Sequence, residues 1–311
     1  MSNIAYLVEA HADVKQLIRL CDALVLSGDV YVHVDRKQRN HTFWEELNIY
    51  SRTQCRVKVL KDRVYVAWAG FSQVKAFLKL LCAAMVSDKR YDRFVLLSGM
   101  DFPVWSPIAI HEFFDKNEDR EFVCGYNISQ CKFDYQLRKI KYYHFFRDLP
   151  LPHKSFLRRA IIGGTALTLK YMGIHRKPFF IMGGANLDVY FGSQWIAITY
   201  DCAKYLKNEL ENNPKISRYY KTVYAPDELC VPTLVMNSPF ADKAIHVEDL
   251  SFQAVTPLHY LNYEDCIWSY DENDYDTIVA SGKMFVRKLV SGKSEKLAER
   301  IMQSWGDTDT K

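Results

Sequence analysis

An unbroken apolar run, Ile4-Ala5-Tyr6-Leu7-Val8, opens the chain and predicts a buried strand. Asp13 then stands as a cap before Val14, Leu17, Ile18, Cys21, Leu24 and Val25, whose spacing places them on one side of a helix. Val30 to Val34 reads as a second strand, Val57 to Leu60 as a short, mostly apolar run, and Phe71 to Met85 as a helix. Phe94 to Leu97 is a continuous apolar strand that ends in Ser98-Gly99. Strands alternating with helices predict an α/β architecture: a mostly parallel sheet, helices on both faces, and ligands at the carboxyl ends of the strands. Chemistry is therefore expected near His11, Asp35 and Asp101, each just after a strand. Farther on, Leu187 to Phe191 and Trp195 to Leu206 resume ordered structure, Pro226-Asp227-Glu228 starts a helix, and Met284-Phe285-Val286 is a late strand.

Charge changes this picture in one place. From Lys132 to Lys177 eleven Lys and Arg face two acids, Asp134 and Asp148, an excess of +9 in a chain whose net charge is +4. Phe133, Tyr135, Tyr142, Tyr143, Phe145, Phe146 and Phe156 are interleaved with them. The segment reads as a basic, aromatic insert of helices and loops. It is either a solvated excursion or a surface for an anionic membrane or a lipid-linked acceptor. With 311 residues, 49% hydrophobic and 25% charged, the chain can bury a substantial core, which excludes disorder, collagen and low complexity. A mild net charge and the lack of a reading motif argue against nucleic acid as a partner. The eight cysteines are far apart and form no C-x-x-C pair, so free thiols are expected rather than disulfides or a zinc site. No apolar run approaches a bilayer span and the N-terminus lacks signal-peptide features, which together predict a cytoplasmic protein. The sequons at Asn40 and Asn127 are then accidental.

Phosphate-loop, dinucleotide-fingerprint, nucleophile-elbow and zincin motifs are all missing. What remains is a series of polar residues after apolar strands: Ala5-Tyr6-Leu7-Val8 with His11, the His33-Val34-Asp35 strand end, and Val64-Tyr65-Val66-Ala67-Trp68. Ser98-Gly99-Met100-Asp101-Phe102-Pro103, Gly192-Ser193-Gln194-Trp195, Pro226-Asp227-Glu228 and Phe285-Val286-Arg287-Lys288 continue it. In this order the series resembles the core-2/I-branching N-acetylglucosaminyltransferase and peptide xylosyltransferase family, over about Ile4 to Leu289, with the basic insert matching poorly. The resemblance implies a GT-A type fold, Rossmann-like, in one catalytic domain: a nucleotide-binding half (1–125), the insert (126–180) and an acceptor and catalytic half (181–311). It also implies an inverting enzyme that moves GlcNAc or xylose from a UDP-sugar to a glycan hydroxyl, with no metal.

On that resemblance Glu228 is the base that takes the acceptor proton, and Asp227 its structural neighbour. Taken alone, the same three residues suit the first turn of a helix. Arg287 and Lys288 match the family's diphosphate-binding pair, a planar fork and a point charge that offset the leaving group. Some members add an arginine about two dozen residues upstream, yet Leu261 to Lys283 contains none. His11 and Asp35 match the uridine-binding positions, Tyr65 is a candidate for the base, and Asp101 lies where the donor and acceptor halves meet. His11 and Asp101 have structural alternatives, a satisfied histidine and a turn before Pro103. Trp195, with Ser193 beside it, is either a sugar-facing residue of the acceptor site or part of the core. The two Asp-x-Asp matches, Asp274-Tyr-Asp276 and Asp307-Thr-Asp309, follow no apolar strand, so no metal is expected. The insert is expected to meet the inner leaflet beside a lipid-linked acceptor in a bacterial surface-polysaccharide enzyme. The alternative is a non-catalytic sugar-nucleotide or glycan-binding protein on the same scaffold.

Overall fold

The computed structural model describes residues 1–131, 134–152, 154–182, 184–263 and 267–308. Lys132 and Phe133 of the basic stretch, Cys266, and Asp309 of the second Asp-x-Asp lie outside the described residues. The chain begins, as expected apart from α2, with β1 (Ile4–Ala10), α1 (Val14–Leu24), β2 (Gly28–Val34), α2 (His41–Thr53), β3 (Val57–Val59), α3 (Ser72–Met85) and β4 (Arg93–Ser98). It continues with β5 (Asp101–Pro103), α4 (Pro107–Lys116), β6 (Cys124–Asn127), α5 (Asp134–Lys141), α6 (Phe156–Tyr171), β7 (Phe179–Met182) and β8 (Ala185–Asp188). β9 (Tyr190–Phe191), β10 (Ala197–Thr199), α7 (Tyr200–Asn212), α8 (Pro214–Tyr220), a 3-10 turn over Pro226–Glu228 and α9 (Cys230–Met236) follow. The last elements are β11 (Ile245–His246), α10 (Phe252–Val255), β12 (His259–Tyr260), α11 (Tyr275–Ala280), β13 (Phe285–Arg287) and α12 (Glu295–Thr308).

The main sheet runs β10-β4-β1-β2-β3, parallel except for β10. β1 is apolar at almost every position because both its faces are covered. Ile4, Tyr6, Val8 and Ala10 pack with Leu17, Leu20 and Leu24 of α1, while Ala5 and Leu7 join Phe77, Leu80 and Leu81 of α3. Each such fully buried side chain stabilises the fold by roughly 1.5–3 kcal/mol. Asp13 caps α1 as expected, accepting from Gln16 N at 3.1 Å, and also accepts from Ser291 N at 2.8 Å. That second bond ties the first helix to the segment after β13.

A small sheet, β12-β13-β5, stands beside the main one, with β13 antiparallel to β5 and Arg287 opposite Asp101. A third, β11-β6-β9, supports the turn that carries Glu228. Two expectations change. Pro226–Glu228 is a 3-10 turn rather than the start of a helix: Ala225 enters it at φ 49°, and α9 begins only at Cys230. The far end of the insert runs into a β7–β8 hairpin that no alternation in Phe179 to Asp188 announces. Cys21, Cys55, Cys82, Cys124, Cys202 and Cys230 are free thiols. The side-chain oxygen of Asn40 caps α2 and the Asn127 amide donates to Asp188 at 2.7 Å, so both sequon amides are engaged. Among the described residues no helix is long and apolar enough to cross a membrane.

Candidate active site

Arg287 is the best-anchored cation at the carboxyl ends of the strands. Its position opposite Asp101 in the β13–β5 pair brings Nη1 to 2.9 Å from Asp101 Oδ1. The other carboxylate oxygen accepts from Ser98 N at 2.7 Å and lies 3.3 Å from His259 Nε2. Asp101 and His259 are buried. Burial opposes ionisation of Asp101, and Arg287, with His259 and the Ser98 amide, outweighs it and holds the carboxyl below its ordinary range. Burial likewise lowers the His259 pKa despite Asp101, so at neutral pH its ring donates as a neutral imidazole. The Arg287 guanidinium lies 5.1 Å from the Trp195 ring centre, and Trp195 in turn packs 5.4 Å from His259. Arg287 Nε has no partner among the described residues. A guanidinium fixed on one side by a carboxylate can offer its remaining N–H groups to an oxyanion.

These contacts bear on three expectations. Asp101 is wholly buried and spent on Arg287, His259 and Ser98, so it supports a donor-site cation rather than touching a donor. The Trp195 ring is half-buried, with the Arg287 guanidinium over it and His259 beside it. Ser193 is buried and its Oγ accepts from Trp195 N at 3.1 Å, so its side chain shapes the turn before Trp195 rather than meeting an acceptor.

Lys288 follows Arg287, half-buried, with no ion pair to its ammonium among the described residues. Both cations act on His11, which lies exposed just past β1. Desolvation by the surrounding walls and the Arg287 charge hold its imidazole below its ordinary pKa. Asp35 is buried: it accepts from Lys37 N at 2.9 Å and Val66 N at 3.2 Å, and pairs with Lys37 Nζ at 3.1 Å. It therefore pins the 64–66 segment to the end of β2 instead of meeting uridine directly, a further correction. Lys37 Nζ sits 5.2 Å from the Tyr65 ring centre, which fixes that ring beside His11's end of the sheet.

Glu228 lies in the Pro226–Glu228 turn, its side chain 35% exposed, and its Oε2 is 2.9 Å from Lys139 Nζ. Lys139 is buried and its ammonium is 3.9 Å from the Phe191 ring centre. The turn is locked by Gly192 N donating to Glu228 O at 2.9 Å. Gly192 must be glycine, since a Cβ there would lie 2.1 Å from Cys124 O. Burial and the neighbouring Glu228 push the Asp227 carboxyl up to about 7, and Asp227 Oδ1 is buried without a partner. Burial, then Asp227 and Asp35, push Glu9 up to about 8. That coupling places the turn over the carboxyl end of β1, on the α3 side of the sheet.

Three residues escaped the sequence reading. Glu9 carried a signal, an acid within a buried strand. His259 is one histidine among nine, and Lys139 one cation among eleven in the insert. Neither stands out until the fold brings its partner to it. Among the described residues no group of three or more His, Cys, Asp or Glu is arranged to hold a metal.

A family model described as Core-2/I-Branching enzyme matches residues 4–271. Xylosyltransferase sqv-6 of Caenorhabditis elegans is 22% identical over 214 residues, 68% of this chain and 23% of that protein. Xylosyltransferase 2 of Canis lupus familiaris is 23% identical over 249 residues, 78% of this chain and 25% of that protein. A xylosyltransferase of Ciona intestinalis is 25% identical over 252 residues, 79% and 26% respectively. The chain thus spans about a quarter of the length of the curated relatives it matches. Among solved structures, the apo form of mouse xyloside xylosyltransferase 1 aligns with a TM-score of 0.33 and 11% identity, covering 91% of this chain and 97% of that one. The family match runs from β1 through the Glu228 turn and bears out the resemblance read from the strand-end motifs: this chain belongs to the Core-2/I-branching enzyme family.

Proposed function

We propose that this protein is an inverting, metal-independent glycosyltransferase that moves a sugar from a UDP-sugar to a glycan hydroxyl. Fixed cations at the strand ends carry the reading: Arg287, held by buried Asp101 and stacked on Trp195, followed by Lys288. Such a pair offsets the charge that develops on a departing diphosphate without a metal. Glu228, the accessible carboxylate of the opposing turn, takes the proton of the acceptor hydroxyl as its oxygen bonds to the anomeric carbon. The bond from that carbon to the diphosphate breaks on the opposite face, and the electron pair leaves with UDP. Lys139 keeps the Glu228 carboxylate aimed from behind. His11 and Tyr65 line the uridine side. Trp68, 57% exposed and 6.0 Å from the Tyr224 ring, offers an aromatic face for the acceptor sugar in place of Trp195. GlcNAc and xylose are the donor sugars to try first, the second because the relatives named above are xylosyltransferases.

The test is UDP release from a panel of UDP-sugars in EDTA with mixed glycan acceptors, comparing wild type with Glu228→Gln. Donor-selective release that survives EDTA and is lost in the variant supports the reading. Release that needs a divalent cation overturns metal independence. Equal UDP-sugar binding by both proteins with no release by either supports a binding protein instead.

A further inference from the structure

We infer that α6 docks on an anionic lipid surface, lying in the plane of the headgroups. This rests on the shape of the insert alone and stands independently of the reaction proposed above. In a water-exposed helix the apolar residues face the protein and the charges face solvent. In α6 the order is reversed. The one fully buried side chain of this 16-residue helix is an arginine, Arg158, whose Nη2 donates to Arg147 O at 2.9 Å. Ile162, Thr165 and Leu169, half-buried, share its side of the helix. Outward, Phe156 is 81% exposed, Tyr171 87%, and Leu157 and Leu167 each 57%. At about 3.6 residues per turn these four, with Ala160 and Gly164, fall within an arc of about 100°. A Cβ built on Gly163 or Gly164 would meet nothing within 4 Å, so no other described part of the protein lies against the helix there. The apolar surface continues past the helix end through Met172 and Ile174, both exposed.

Charge identifies the occupant. From 149 to 187 the chain carries six Lys and Arg and no Asp or Glu. Exposed Arg159 and Lys170 fall together along one edge of the apolar arc, with Lys154 just ahead of the helix. Long cationic side chains beside an apolar stripe reach toward phosphates while their stems stay on the hydrocarbon side. A second copy seated on the same face would bring Lys154, Arg159 and Lys170 of each copy together, with no carboxylate from either segment to pair them. An anionic leaflet satisfies both the stripe and its cationic edge.

The experiment is flotation of the full chain with phosphatidylcholine vesicles, with and without phosphatidylglycerol. It compares wild type with the triple variant Phe156→Ser/Leu167→Ser/Tyr171→Ser and with the charge variant Lys154→Glu/Arg159→Glu/Lys170→Glu. All six positions are solvent-exposed, and unchanged thermal melting confirms that each variant is folded. Wild type is expected to float with the anionic vesicles only. Both variants should lower the bound fraction by about tenfold or more, and raised salt should weaken wild-type binding. No flotation of wild type at low salt, or flotation indifferent to the serine substitutions, would overturn the inference. So would a concentration-dependent dimer in vesicle-free solution that the triple variant dissolves, because the face would then belong to a second copy.

Discussion

The β1–β4 half and the basic insert obey opposite rules. In the first, apolar side chains point inward from both faces of the sheet, and the polar residues that matter stand at its carboxyl edge. In the second, cations point inward: Lys139 reaches Glu228, Arg158 holds the 147 carbonyl, and Arg176 donates to Thr222 O at 2.6 Å while stacking on Tyr143 and Tyr219. Phe156, Leu157, Leu167 and Tyr171 of α6 meanwhile face out. Periodicity reports that a helix exists, whereas which side it buries depends on what it packs against. An excess of +9 is therefore not evenly a surface property. Part of it belongs to the proposed active site.

The sharpest way to break the comparison is at the Glu228–Lys139 contact. Glu228→Gln is expected to lower kcat by roughly 10²–10⁴-fold with little change in melting temperature, since it removes the proton acceptor and keeps the shape. Arg287→Ala should cost both functions: a rate loss of about 10²-fold or more and a destabilisation of about 3 kcal/mol, because Asp101 is left buried and unpaired. Lys288→Ala, measured beside it by chemical denaturation, should lose rate without that stability cost. Within the insert, Arg158→Glu is expected to destabilise by about 2–4 kcal/mol and Arg159→Glu by less than about 0.5 kcal/mol, although the two are neighbours in sequence. Equal effects would remove the inside-out description of α6.

Lys139→Met is a smaller test, expected to lower kcat/KM by about tenfold while its stem still packs on Phe191; Lys139→Arg should restore part of the rate. The smallest effect concerns pH. Glu9 titrates near 8 in the folded chain, against about 4.3 for an unperturbed glutamate. Its raised value means that the folded state binds the proton more tightly. The contribution is complete below about pH 4, fades as pH rises, and is gone above 8. Asp227, at about 7, acts in the same direction. Melting temperature should fall from pH 6 to pH 9 in wild type, and Glu9→Gln should flatten that slope.

Much of the frame was legible because its signals are local. Strands β1, β2 and β4, helix α3 and the Asp13 cap follow from runs and spacings within a dozen or so residues. Glu228, Arg287 and Lys288 came from the series of motifs that carried the resemblance, and the family match covers that series as far as residue 271. What stayed hidden is pairing over long separations. Asp101 meets Arg287 across 186 positions and His259 across 158, through sheet register that no local pattern encodes. That register turned Asp101 from a ligand contact into a support. The Phe179–Asp188 hairpin was missed because its strands, four residues each, lack alternation.

The account's central claim is a single direct displacement with Glu228 as base and Arg287 and Lys288 behind the leaving group. The anomeric configuration of the product, read by proton NMR during turnover of an α-linked UDP-sugar, tests it most directly. A β-linked first product, formed in EDTA and lost with Glu228→Gln, is the result predicted here. An α-linked product would contradict it, because a single displacement from the face opposite the leaving group must invert the anomeric carbon.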